Sequence, residues 1–321
     1  MDNVLITGGA GFIGSHVAQR LLREGRRLAI VDNLDDYYPA ELKRANLEEI
    51  KTSGDFQFLP ADIRDGEELR RVFATFKPDA VIHLAARPGV RLSFAQPEMY
   101  TSINVLGTTQ VLEVSRQSGV RRLVFASSSS VYGHSSRAPF REDAVISHPL
   151  SIYAATKVAG EAMAFTFAHA YGLSVACLRL FTVYGPRQRP DLAIRKFADM
   201  IMKGEQLPIF GDGSLERDYT YIDDGVDGIV RALDAAGNFD VYNIGNSHPV
   251  RINEMVDALG SALGKPVRRM YVPAPAGEMT LTHADLTKSG QALGYSPKVS
   301  WEEGIRRFSK WLKSYRHRHP N

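Results

Sequence analysis

At 321 residues, 44% hydrophobic and 23% charged, the chain is long enough for one large or two modest globular units and apolar enough for a real core. A formal charge of +3 is too close to neutral to argue for a nucleic-acid or membrane partner, and the single cysteine, Cys177, excludes an internal disulfide framework and suits a reducing compartment. No apolar run reaches membrane-spanning length, and the chain opens directly on a core strand with no room for a signal peptide, so a cytoplasmic protein is expected.

The first element, Val4-Leu5-Ile6, reads as a buried strand. It runs into Thr7-Gly8-Gly9-Ala10-Gly11-Phe12-Ile13-Gly14-Ser15, and an amphipathic helix follows over 13–22. Strand, glycine loop and helix form the first half of a βαβ unit, and Gly9, Gly11 and Gly14 fit G-x-G-x-x-G. Glycines there let the chain turn tightly, let backbone N–H groups approach a pyrophosphate, and let the helix sit close to its strand. The helix N-terminus then turns its partial positive charge toward the phosphates. Gly8, Gly11, Phe12, Ile13 and Gly14 are the candidate cofactor contacts of this loop. The next apolar run, Leu28-Ala29-Ile30-Val31, ends at Asp32, about 20 residues on, where an acid binds a ribose 2′-hydroxyl. A carboxylate repels a 2′-phosphate and the neighbouring Asn33 offers no cation, so NAD is expected rather than NADP.

Strand-like runs continue at 56–59, 80–84, 122–126 and 174–180, with helix-like runs at 67–76, 98–117 and 154–171 between them. Such alternation means a parallel sheet with helices on both faces. The expected fold is α/β: a doubly wound dinucleotide-binding (Rossmann) domain over 1–180, with about six strands. Beyond Leu180 proline and glycine become denser and the elements shorter. This reads as a smaller α/β substrate domain over 181–321, set over the carboxyl ends of the strands, with part of 221–245 returning to the large domain. The basic tail 316–321 is expected to fray.

Tyr153 and Lys157 stand four residues apart at a helix start and therefore on one face. A free phenol titrates near about 10, too high for a base at neutral pH. A neighbouring ammonium and an oxidised nicotinamide favour the phenolate, which can then take a proton from a sugar hydroxyl as hydride leaves the same carbon. Cys177 lies in an apolar strand and reads as core. No His/Cys/Asp cluster has metal-ligand spacing, so no metal is expected.

With these residues in place, the chain resembles the extended short-chain dehydrogenase/reductase family, and within it the NAD-dependent sugar-nucleotide epimerases. The resemblance covers nearly the whole chain. It rests on 7–15, Asp32, Asp62-Ile63, His83-Leu84-Ala85-Ala86, Asn104, 127–133, 153–157, Tyr184-Gly185-Pro186 and Arg217-Asp218-Tyr219. It implies that Asp62 and Ile63 flank the adenine, that Leu84, Ala85 and Ala86 line the cofactor's path, that Lys157 also holds the nicotinamide ribose, and that Asn104 fixes the active-site helices. It makes Ser128 the hydroxyl that bonds the substrate oxygen near Tyr153.

Dehydratases of the family carry Asp-Glu where Ser129-Ser130 stand here, and the glucuronate decarboxylases carry Glu at Ser130, so the resemblance implies simple epimerisation. Thr182 followed by Arg189-Pro190-Asp191, together with Gly89-Val90-Arg91-Leu92-Ser93, is similar to the UDP-glucuronate 4-epimerases; the UDP-glucose enzymes usually have Asn at Thr182. Ser129, Ser130 and Thr182 would form a donor-rich niche for a C6 carboxylate. Arg189 is a candidate for the nucleotide or carboxylate end, Arg217 for the diphosphate and Glu278 for the uridine ribose. The arginine that precedes this acid in UDP-galactose epimerases is absent, with Ala274 and Pro275 in its place. The family implies a homodimer through two long helices, here 98–117 and 154–171. Three rivals stay open: a UDP-glucose 4-epimerase, a UDP-glucuronate decarboxylase and a non-catalytic NAD sensor.

Overall fold

The computed structural model describes residues 2–133, 137–235, 237–273 and 279–318. Strands β1 (Asn3–Thr7), β2 (Arg27–Val31) and β3 (Gln57–Leu59) alternate with helices α1 (Phe12–Arg23), α2 (Ala40–Lys51) and α3 (Gly66–Phe76). Strand β4 (Ala80–His83) follows, then short helices α4 (Val90–Ala95) and α5 (Pro97–Thr101), a π-helical turn over Ser102–Leu106, and α6 (Gly107–Gln117). Strand β5 (Arg122–Ser128) leads through a 3-10 turn at Ser129–Tyr132 to the long helix α7 (Ile152–Tyr171) and to β6 (Ser174–Leu180). These strands lie in one parallel sheet ordered β6-β5-β4-β1-β2-β3. Helices cover both faces, so the strands read as nearly continuous apolar runs, with Val4, Leu5, Ile6, Leu28, Ala29 and Ile30 all buried. The chain reverses its direction of travel between β1 and β4, which opens a crevice at their carboxyl ends.

The remaining elements are β7 (Thr182–Tyr184), α8 (Ala193–Lys203), β8 (Gln206–Phe210), β9 (Glu216–Tyr221), α9 (Ile222–Asp234), β10 (Phe239–Ile244), β11 (Pro249–Arg251), α10 (Ile252–Leu263), β12 (Arg268–Val272), α11 (Thr287–Leu293) and α12 (Trp301–Arg318). Helix α9 packs on α1, and β10 pairs with β6 as a seventh parallel strand. The others build a three-stranded sheet, β11-β9-β7, and a two-stranded one, β12-β8.

Helix α7 lies against β5 at Gly160, where a Cβ would stop 2.4 Å from Cζ of Phe125. That close approach seats the start of α7 against the end of β5. The long helix expected over 98–117 is present as one continuous helical path through α5, the π turn and α6, and the short helix α4 precedes it; the π turn inside it was not foreseen. Apolar periodicity alone does not distinguish four from five residues per hydrogen-bonded turn, and π turns recur at functional sites.

Candidate active site

A cavity of about 720 Å³ opens at the carboxyl ends of the strands. Every described residue assigned to a site from the sequence borders it. At one end lie Gly8, Gly11, Phe12, Ile13 and Gly14. Helix α1 starts at Phe12 behind Gly11, which has no side chain to cap it, and its first turn carries no acid. Its N-terminal N–H groups and partial charge are left for an anionic guest, which is the seat a dinucleotide pyrophosphate requires. A Cβ on Gly14 would lie 2.3 Å from the Gly8 carbonyl oxygen, so helix and loop touch backbone to backbone.

Asp32 follows β2. Its carboxylate accepts from the N–H of Ala10 at 3.2 Å and of Leu34 at 2.9 Å. Lys43 of α2 reaches within 3.5 Å of the same carboxylate and sits over the Tyr38 ring. Asn33 itself offers no cation, as read; the cation comes from Lys43. Helix α2 folds back across the end of β2 and delivers an ammonium that no local motif announces. Asn33 donates to Asp62 at 3.0 Å, and Arg64 grips Asp62 through Nε at 2.9 Å and Nη2 at 2.6 Å. That grip holds the Asp62 carboxyl below the usual range. Ile63, Leu84, Ala85 and Ala86 complete this wall.

At the floor, Ser128 ends β5 and accepts from the backbone N–H of Ser130 at 3.2 Å and from its hydroxyl at 3.0 Å. The Ser128 hydroxyl is close enough to the Tyr153 phenol to pull its titration down. Tyr153 lies in the first turn of α7, which is capped by the Ser151 hydroxyl accepting from Ala154 N–H at 3.1 Å. The result is a bonded hydroxyl pair, Ser130 to Ser128, next to the Tyr153 phenol. Lys157, one turn on, gives its ammonium to the Ala126 carbonyl at 2.8 Å and lies 5.9 Å from the Tyr153 ring centroid.

In the chain alone, burial raises the Tyr153 phenol above its ordinary value, and the Ser128 hydroxyl and the Arg189 charge pull only partly against it. The expectation joined the Lys157 ammonium with an oxidised nicotinamide; in the chain alone Lys157 does not offset the burial. The ammonium is committed to a backbone carbonyl, and desolvation outweighs the nearby charges. Burial also lowers Lys157, to about 8.

Asn104, in the π turn, accepts from Arg87 N–H at 2.7 Å and donates to Arg87 carbonyl at 2.9 Å and to Thr156 at 3.1 Å. It ties the π turn to α7 and to the loop after β4. Asn104→Ala strips partners from a buried site and is expected to destabilise the protein by about 1–3 kcal/mol, measured by denaturant unfolding.

Thr182, at the head of β7, lines the same cavity as Ser129 and Ser130, and none of the three is acidic. Arg189 pairs with Asp191 at 3.0 and 3.1 Å and lies over the Tyr37 ring. Arg217, on β9, borders the far end with Leu215 and Ile252. Glu278, Ala274 and Pro275 lie outside the described residues. Sequence reasoning missed Lys43 and Tyr37; it named Asp191 and Arg91 within motifs but gave neither a role, and the Arg91 guanidinium lies over the Phe210 ring of β8 at 4.3 Å. It also missed Glu161 and Arg179, although two signals pointed to them: an acid four residues after Lys157 and a cation inside an apolar strand.

Among the described residues no His, Cys, Asp and Glu side chains group to hold a metal ion, and no helix is long and apolar enough to cross a membrane. Fold and cavity together define a Rossmann-type, dinucleotide-dependent enzyme of the short-chain dehydrogenase/reductase kind. The chain belongs to the NAD-dependent epimerase/dehydratase family, whose family model matches residues 4–245. It is 42% identical over 314 residues to a UDP-glucuronate 4-epimerase of Thermodesulfobacterium geofontis, covering 98% of this chain and 97% of that one. It superposes on UDP-glucuronic acid 4-epimerase from Bacillus cereus in complex with UDP-glucuronic acid and NAD, with a TM-score of 0.91, 35% identity and 98% and 99% of the two chains covered. UDP-glucose 4-epimerase from Thermotoga maritima, solved with UDP-glucose, gives a TM-score of 0.90 at 34% identity, again over 98% and 99%.

Proposed function

We propose that the chain is an NAD-dependent UDP-glucuronate 4-epimerase, interconverting UDP-glucuronate and UDP-galacturonate. One observation carries the reading. Ser129, Ser130 and Thr182, none of them acidic, line the same cavity as Tyr153 and the dinucleotide seat. The uronate enzymes among its relatives support it.

The glycine loop, the Asp32–Lys43 pair, Asp62 and Lys157 would hold the cofactor. Bound there, NAD would supply the reversible acceptor for the C4 hydride. Tyr153 takes the C4 hydroxyl proton on oxidation and returns it on reduction, and Ser128 steadies that oxygen. The 4-keto sugar turns about its link to the diphosphate, which Arg217 holds, and is reduced on its other face. Net redox is zero, so NAD stays bound throughout. The intermediate is a β-keto acid and loses carbon dioxide when its C5–C6 bond stands perpendicular to the carbonyl plane. Hydroxyl donors on the carboxylate hold it away from that geometry without supplying an acid.

The test is turnover of UDP-glucuronate and UDP-glucose side by side with purified protein. Faster turnover of UDP-glucose overturns the uronate reading, and release of a UDP-pentose would mark a decarboxylase. Thr182→Ala is expected to raise KM for UDP-glucuronate about tenfold, the worth of a hydrogen bond to a charged group, with little change for UDP-glucose. Equal effects on both count against the niche.

The proposal includes a homodimer. Met99 on α5, Leu106 in the π turn and Phe165 on α7 are 41%, 47% and 52% exposed and give these neighbouring helices an apolar outer face. Sedimentation should show a dimer that Phe165→Glu with Leu106→Glu converts to monomer. A cytoplasmic location fits the single, buried free thiol of Cys177.

A further inference from the structure

The polar chain under the catalytic corner continues past Lys157. One turn further along α7 stands Glu161, on the face that carries Tyr153 and Lys157, because residues four apart stack along a helix. Two strands hold its carboxylate at once. Ser127 of β5 donates to Oε1, while Arg179 of β6 donates through Nε to Oε1 at 3.0 Å and through Nη2 to Oε2 at 2.8 Å. Ser127 and Arg179 are register partners in the parallel β5–β6 pair, so both side chains leave the sheet on the face that α7 covers. All three residues are buried.

A buried ion pair is a poor source of stability, because desolvation consumes most of the Coulombic gain. What it does for its neighbours accounts for it better. Lys157 is buried, bonded to the Ala126 carbonyl and 5.0 Å from the Phe125 ring centroid, and Glu161 is the charge that opposes the effect of its burial. The other titratable groups near Lys157 supply no counter-charge. Tyr153 shares its helix and is held in its neutral form by burial. His83 of β4, between Thr7 and Thr108, is held neutral. Arg179 of β6 is a cation.

We propose that Glu161 is a positioning residue for this corner: pinned by Arg179 and Ser127, its carboxylate is the fixed counter-charge that keeps Lys157 an ammonium. Its bond to Ser127 also fixes the strand end that presents Ser128. The inference rests on the reading of Lys157 given above.

The test is a titration of the full-length, NAD-loaded protein, isotope-labelled at lysine Cε and followed by NMR. The Lys157 signal is identified by its loss in Lys157→Met. In Glu161→Gln its midpoint should fall by about one pH unit or more relative to wild type, the usual effect of a charge one helical turn away, and in Glu161→Asp it should stay close to wild type. An unmoved midpoint in Glu161→Gln overturns the proposal, since a merely structural Glu161 lowers the melting temperature and leaves the midpoint in place. If the single variant does not fold, Glu161→Gln with Arg179→Gln is read against Arg179→Gln alone, so that the lost guanidinium charge is common to both; the midpoint should be lower in the double variant, and no difference between the two is decisive against the idea. The titration needs no turnover, so it decides this proposal separately from the epimerase reading. Where wild type epimerises, the loss of kcat at high pH should move down by the same interval.

Discussion

Tyr153→Phe is expected to lower kcat for UDP-glucuronate by about 10²–10⁴-fold, the usual worth of a positioned general acid–base group, with NAD content close to wild type. The substitution removes one oxygen and keeps the ring, so the packing of the α7 start survives. It takes the phenol oxygen from beside the Ser128 hydroxyl, a loss of about 1 kcal/mol. In the chain alone burial holds the phenol protonated, and the cationic nicotinamide is the charge that tips it toward phenolate. Activity should therefore depend on bound oxidised cofactor and rise with pH until Lys157, at about 8, loses its charge. Turnover followed by separation of the two UDP-uronates measures this. A Phe variant as active as wild type would return the chain to the non-catalytic NAD sensor left open by its sequence.

Gly14→Ala should be as damaging by another route. Its Cβ would lie 2.3 Å from the Gly8 oxygen and 2.7 Å from the Gly9 Cα, and both are backbone atoms that cannot rotate away. Helix α1 has to lift off the glycine loop, which pulls its uncapped N-terminus from the pyrophosphate. The variant is expected to purify with most of its NAD missing and to lose about 1–3 kcal/mol of stability. Gly11→Ala, whose Cβ would stop 3.1 Å from the same oxygen, should be milder on both counts. Cofactor content by absorbance and a denaturant melt separate the two variants; equal damage would contradict the steric account.

The strand read over 174–180 is β6 to the residue, and the motifs at Gly8–Gly14, Asp32, Ser128 and Tyr153–Lys157 all border one cavity. Each of these is a local signal: an apolar run of strand length, a glycine spacing, two residues one helical turn apart. The helix read over 98–117 is there, but its π turn escaped because periodicity is blind to one extra residue in a turn. Lys43 beside Asp32 and Arg179 against Glu161 come from separate segments of the chain. No pattern within any one segment pairs them.

The sequence by itself determined the class of fold, the dinucleotide seat and the identity of the reactive groups, because hydrophobic period, glycine freedom and helical spacing act over a few residues. Only the tertiary structure decided which charges face one another and how each reactive group titrates. Desolvation and Coulomb interaction depend on distance through space and on the exclusion of water, and neither exists until the sheet, the helices and the covering strands have closed around the cavity.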